Sequence, residues 1–230
     1  MLATAHRGHN LENELSMFTP SRNLLLPILL VLLGACSGPP TVQDTPSTEF
    51  SAEGLHLVSA SGFSSAYALP GANLPAYRSV NIEPLAADNV DVGQTAVAGT
   101  LRRDWQMTPE REAALQQVWG RAMERAFSSY AQSSSGEDTL RITAEMTRVA
   151  PGRPTATTSG GGIQPLGSSQ DVVEIFMEFR LYNQGSGELL GVIRDSRTMI
   201  SQAMSRTAPV GVQTMFNSWA ALLHTRVSGR

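Results

Sequence analysis

The chain has 230 residues, a formal net charge of -3, one cysteine, four histidines and 17 basic residues, every one of them arginine. The absence of lysine excludes a Schiff-base lysine or a Ser-Lys dyad, and the slightly acidic balance lacks the basic footprint that a nucleic-acid binder needs. With a single thiol there is no internal disulfide, and the two histidines beyond residue 9, His56 and His224, do not have metal-ligand spacing, so no metal or cofactor is expected.

The first 16 residues place Glu12 and Glu14 where a secretory leader should be positive, so Met17 is read as the start and His6 and His9 carry no expected role. From Met17 a short segment with Arg22 leads into the apolar run Leu24 to Leu33, which falls short of the roughly 20 residues a membrane-crossing helix needs. The run closes on Leu33-Gly34-Ala35-Cys36, the pattern of a lipobox, in which a diacylglyceryl group is joined to the thiol and cleavage leaves Cys36 first. Residues 17–35 are therefore expected to be a lipoprotein signal peptide and Cys36 the lipidation site. Acyl chains contribute about 0.8 kcal/mol per buried methylene, and more than one is needed for stable anchoring. Ser37, where an Asp would favour retention in the inner membrane, points to the outer membrane and a domain facing the periplasm. Processing at Cys36 removes Arg7, Arg22, Glu12 and Glu14, which leaves the net charge unchanged.

Residues 36–54 open with a stretch rich in Pro, Ser and Thr and are read as the acylated cysteine and a flexible tether. Residues 55–230 are expected to form one globular domain. Tyr77 to Leu85 reads as a first strand; Asn89 to Gln106 is either loop or weak edge strand. Thr108 is a helix cap, followed by Pro109, Glu110 and Glu112 in the first turn. The stripe Leu115, Val118, Trp119, Ala122, Met123, Ala126, Phe127 and Tyr130 carries that helix to Ser133-Ser134-Ser135-Gly136. Its other face, with Arg121 and Arg125, is read as solvated charge.

Thr139 to Val149 and Val172 to Tyr182 alternate as half-buried strands do. Asn183 to Gly187 turns the second of these into Glu188 to Met199 as an antiparallel hairpin. Residues 150–170 between the two strands, with three prolines and Gly160-Gly161-Gly162, are read as a disordered loop in preference to a functional one. Val212 to Val227 places Met215, Phe216, Trp219, Leu222 and Leu223 on one helical face, with Trp219 as core. These elements predict an α+β fold: a two-layer domain with about four strands in a mixed, largely antiparallel sheet covered by two helices, the first and second strands parallel across a crossover.

Ser61-Gly62-Phe63 followed by Tyr67 and Leu69, then Tyr77-Arg78-Ser79-Val80 and Ile82-Glu83-Pro84, resembles the opening of a bacterial outer-membrane lipoprotein family known as a domain of unknown function. Glu188-Leu189-Leu190 and Trp219-Ala220 are similar to that family as well. Members often have an acidic residue in the hairpin turn, where this chain has Asn183 or Gln184. The resemblance implies an envelope address and a fold, and no reaction.

No catalytic constellation stands out, and the leading expectation is a non-enzymatic binding or accessory module. It would be anchored in the membrane through Cys36 and would bind another envelope protein through a sheet edge or the 150–170 loop. The weaker alternatives are a carrier of lipid or small ligands and a carboxylate-dependent periplasmic hydrolase. The carrier would need Met123, Met146, Met177, Met199 and Met215 to line a cavity, whereas methionine more often fills a core. The hydrolase would rely on Glu174 and Glu178, about 13 Å apart along a strand, or on Asp195 beside Arg194 and Arg197.

Overall fold

A computed structural model describes residues 38–92, 107–151, 172–200 and 210–229. The lipobox and Cys36, most of the 89–106 segment and nearly all of the 150–170 loop lie outside the described residues. In chain order the strands are β1 (Thr41–Pro46), β2 (His56–Ser59), β3 (Ser65–Ala68), β4 (Ser79–Ile82) and β5 (Asp91–Val92). Helix α1 (Pro109–Ala126) follows, then β6 (Ala131–Gln132), β7 (Thr139–Pro151), β8 (Val172–Asn183), β9 (Leu189–Ile200) and helix α2 (Val210–Ser228).

Among the described residues nine strands belong to one sheet, ordered β1-β2-β3-β9-β8-β7-β4-β6, with β5 pairing β7. The fold class stays α+β, but the expected sheet of about four strands is corrected to nine. The four expected strands form its centre: β8 pairs antiparallel with both β7 and β9, and β4 pairs parallel with β7. Of the other five strands, β5 falls in the Asn89 to Gln106 stretch read as loop or weak edge strand, and all five are short. Two are only two residues long, and β2 and β3 are four residues each, too brief to show a clear alternation against their Ser and Ala neighbours.

The stretch read as a tether is corrected as well. Thr41–Pro46 pairs with β2, His56 Nδ1 lies 2.7 Å from the Gln43 carbonyl, and Phe50 is buried against Leu55 and Val192. One aromatic and the backbone bonding of an edge strand are enough to fasten a segment whose composition is that of a linker.

Helix α1 starts where its cap requires: the Thr108 hydroxyl accepts from the Arg111 N–H at 3.3 Å, and Glu110 and Glu112 occupy the positive end. The Glu110 carboxyl is held below its usual range by its own backbone N–H and by Thr108. The helix ends at Ala126, earlier than expected. Phe127 leaves helical geometry, Tyr130 closes a turn onto the Phe127 carbonyl, and β6 then pairs with β4. Phe127 and Tyr130 are therefore below the helix, where both meet the His224 ring edge-on.

The two helices pack on each other and on one face of the sheet. Trp119 stacks on Phe179 with ring centres 5.7 Å apart and meets Phe216 edge-on, and Trp219 meets Phe179 at 6.1 Å. Leu115, Trp119, Met123 and Phe216, Trp219, Leu223 cover Leu140, Ile142, Ile175, Met177 and Phe179 of the sheet. Burial of these faces is the main stabilising term, at about 25 cal/mol per Å² of apolar area. The other sheet face carries Arg141, Glu174, Phe176, Glu178, Arg180, Tyr182 and Arg194, with no helix over it among the described residues.

Candidate functional site

The carboxylates considered for chemistry are distributed over both faces of the β8–β9 pair, and the alternation of the strands separates them. Asp195 lies opposite Met177 and points to the helix side, whereas Glu178 lies opposite Arg194 and points to the open side. Glu174 is four residues from Glu178, and its Oε1 is taken by the Ser196 hydroxyl at 2.7 Å.

Asp195 is 9% exposed and accepts four hydrogen bonds. The Ser64 N–H and hydroxyl donate to Oδ1 at 3.0 and 2.8 Å, and the Trp219 indole N–H and Arg197 Nε donate to Oδ2 at 2.6 and 3.2 Å. Arg197 also reaches the Ser218 hydroxyl and lies over the Trp219 ring. A buried carboxylate is costly unless its lone pairs are met, and here both oxygens are. The group ties the start of β3 to β9 and α2. With no free lone pair and no histidine beside it, it is poorly placed to take a proton from a nucleophile.

Glu178 is 7% exposed, with Arg180 Nε on one oxygen and Arg194 Nε on the other, each at 2.7 Å. Its opposite neighbour on β7 is Glu145, a like-charge pair that the two arginines offset. Arg194 continues to Glu49, which also accepts from the Tyr67 hydroxyl at 3.2 Å, and its guanidinium lies over Phe50. The hydrogen bond from Arg194 is the main reason the Glu49 carboxyl sits below the usual glutamate range. This chain of contacts fastens residues 49 and 50 onto the open sheet face.

The rest of that face is similarly self-satisfied. Arg141 lies over the Tyr182 ring at 4.2 Å and pairs with Glu83 at 3.4 Å; Arg148 lies over Phe176 at 5.7 Å and pairs with Asp91 at 3.3 Å. The Tyr182 and Phe176 rings are capped by guanidinium groups, and those guanidinium groups pair with Glu83 and Asp91, so neither ring is a bare stacking platform. A cleft of about 150 Å³, lined by Ser64, Thr147, Phe176, Glu178, Arg194 and Ser196 among others, opens beside this network. It is smaller than the several hundred Å³ that a bound drug-sized ligand occupies.

Of the methionines weighed for a carrier cavity, Met123, Met146, Met177 and Met215 are buried in the main core and Met199 packs against it. Among the described residues no group of three or more His, Cys, Asp or Glu side chains stands ready for a metal, and His56 and His224 lie on different elements. No helix among the described residues is long and apolar enough to cross a membrane.

The residues that carried the family resemblance are placed as parts of the scaffold. Gly62 adopts a positive φ of 80°, and a Cβ there would come within 3.1 Å of Arg226. The Ser61 hydroxyl accepts from the Phe63 N–H, Arg226 Nε donates to the Ser61 carbonyl at 2.7 Å, and Phe63 packs toward Phe179. This turn delivers Ser64 to Asp195, a contact that nothing in the spacing of the sequence announces. In the hairpin turn the Asn183 amide donates to the Tyr77 hydroxyl and the Glu137 carbonyl, while its oxygen accepts from the Gly185 and Ser186 N–H groups. An acidic residue there would keep the two accepted bonds and could accept from the Tyr77 hydroxyl, but it would lose the bond to the Glu137 carbonyl, so Asn183 serves the turn.

The molecule is thus an α+β protein with a helix-covered mixed sheet and a network of paired charges on the sheet's second face. No family model and no curated protein matches the chain. Solved structures that resemble it include the PelC dodecamer from Paraburkholderia phytofirmans, at 9% identity and TM-score 0.39, covering 68% of this chain and 96% of that one. The hypothetical protein CT253 from Chlamydia trachomatis has 8% identity and TM-score 0.40, over 67% of this chain and 100% of that one. Protein XCC0632 from Xanthomonas campestris, of the family DUF330, has 12% identity and TM-score 0.39, over 84% of this chain and 95% of that one. The structural neighbours therefore include hypothetical bacterial proteins and a member of a family of unknown function, and at these identities they bring no activity with them.

Proposed function

We propose that this chain is a lipid-anchored protein of the bacterial cell envelope. In this reading acyl chains on Cys36 hold it in the outer membrane, facing the periplasm. Its domain serves as a non-enzymatic binding or accessory module for another envelope component. The apolar run that ends in Leu33-Gly34-Ala35-Cys36 supports the address. The observation that carries the non-enzymatic reading is the state of the two buried carboxylates: Asp195 and Glu178 have their oxygens taken by Ser64, Trp219, Arg197, Arg180 and Arg194, which build the fold.

The test is crosslinking in cells with tagged protein, wild type against Cys36→Ala. One envelope protein crosslinked reproducibly by the wild type and lost in the variant is the expected result. Hydrolytic turnover by the purified domain that disappears in Glu174→Gln or Asp195→Asn, with folding intact by circular dichroism, would overturn the reading.

A further inference from the structure

We infer that the β1 edge of the sheet is the surface that faces the lipid bilayer, so that the domain stands edge-on with the β6 edge pointing away. The inference rests on the Cys36 anchor proposed above and adds to it an orientation. Only four residues separate Cys36 from Thr41, where β1 begins, and two of them are Pro39 and Pro40. A chain rises at most about 3.3–3.6 Å per residue, so over the five steps to Thr41 its Cα stays within roughly 18 Å of the Cys36 Cα.

The sheet is much wider than that reach. From β1 to β6 there are seven inter-strand steps in the order observed, and at about 4.8 Å per step the far edge lies on the order of 34 Å away. The near edge is thus held at the headgroups whatever the far edge does.

The character of the surfaces decides between edge-on and flat. The open sheet face carries Arg141, Glu145, Arg148, Arg180 and Arg194, and the outer side of α1 exposes Glu110, Arg121, Glu124 and Arg125. In contrast, every residue of β1 is exposed and only Asp44 of the six is charged. Val42 on this strand, at 40% exposure, is the exposed large hydrophobic residue among those described. An open strand edge also presents unpaired N–H and C=O groups, which invite pairing with other chains unless something covers them. A headgroup layer within tether reach covers this one, and it leaves the β6 side free to meet a partner.

Because acylation consumes the only native thiol, a single introduced cysteine can be labelled cleanly. Acylated Val42→Cys and Gln132→Cys proteins would carry the same fluorophore in phosphatidylethanolamine–phosphatidylglycerol vesicles containing a nitroxide-headgroup lipid, with the Cys36 modification checked by mass spectrometry. Quenching at residue 42 at least twofold stronger than at residue 132 is expected. Equal or reversed quenching on protein with the acyl mass present would overturn the orientation and leave the anchor standing. Thiol crosslinks between copies at residue 42 would also overturn it, giving the edge to a second copy of this chain. Absence of the acyl mass on protein recovered from the producing cells would overturn the anchor itself.

Discussion

Replacing each core tryptophan with phenylalanine separates the contribution of the Asp195 network from that of ring burial. Trp119 and Trp219 are both essentially buried, at 1% and 0% exposure, and both contact Phe179 and Phe216. The difference lies in one bond. Trp219 Nε1 donates to Asp195 at 2.6 Å, whereas Trp119 Nε1 is buried without an acceptor among the described residues. Either Trp→Phe change loses apolar contact worth about 1–2 kcal/mol, at roughly 0.8 kcal/mol per buried methylene equivalent. Trp219→Phe also removes a hydrogen bond to a charged group, worth about 1.5–3 kcal/mol, while Trp119→Phe removes an unmet donor and recovers part of its loss. Trp219→Phe should therefore be less stable than Trp119→Phe by at least about 2 kcal/mol, or about 4–8 °C in Tm for a domain of this size. Urea and thermal unfolding followed by far-UV circular dichroism would measure both. Equal losses in the two variants would refute the claim that the Asp195 bond stabilises the fold.

Other expectations follow from the same geometry. A Cβ at Gly191 would stand 2.8 Å from the Tyr67 carbonyl oxygen, so Gly191→Ala must separate β3 from β9 and should destabilise by about 1–3 kcal/mol in urea titration. Thr108→Ala removes the α1 cap and should cost about 1 kcal/mol in the same assay, with Thr108→Ser restoring most of it. Arg194 lowers the Glu49 pKa in the folded state, so the folded protein binds that proton less readily than the unfolded chain does. The resulting stability is present above the ordinary glutamate pKa of about 4.3 and is lost as pH falls through the lower folded value. Unfolding midpoints measured across this acid range should fall less steeply for Glu49→Gln than for wild type; parallel curves would contradict the pairing.

How far the sequence discloses this protein depends on the length of each element. Helix α1 was legible because Thr108, Pro109 and the acidic first turn mark its start and the stripe from Leu115 to Met123 repeats over several turns. Strands β7, β8 and β9 run for 13, 12 and 12 residues, long enough for alternation to show. By contrast, β1 to β3 lie among Ser, Thr, Ala and Gly, and their place is set by pairing with partners distant in sequence, such as Ser65 with Arg194. Asp195 was singled out for its arginine neighbours, Arg194 and Arg197, but alternation sends Arg194 to the other face, where it serves Glu178. What Asp195 holds is Ser64, 131 residues away, and Trp219, and no local pattern encodes either contact.

Intact-mass and N-terminal peptide analysis of protein purified from the producing cells' envelope reads out the proposed acylation of Cys36 as the first residue of the mature chain. A chain that begins at Cys36 and carries the diacylglyceryl mass is expected, with Cys36→Ala leaving the membrane fraction. A free thiol at Cys36 in mature protein, or a Cys36→Ala variant that stays fully membrane-bound, would contradict it.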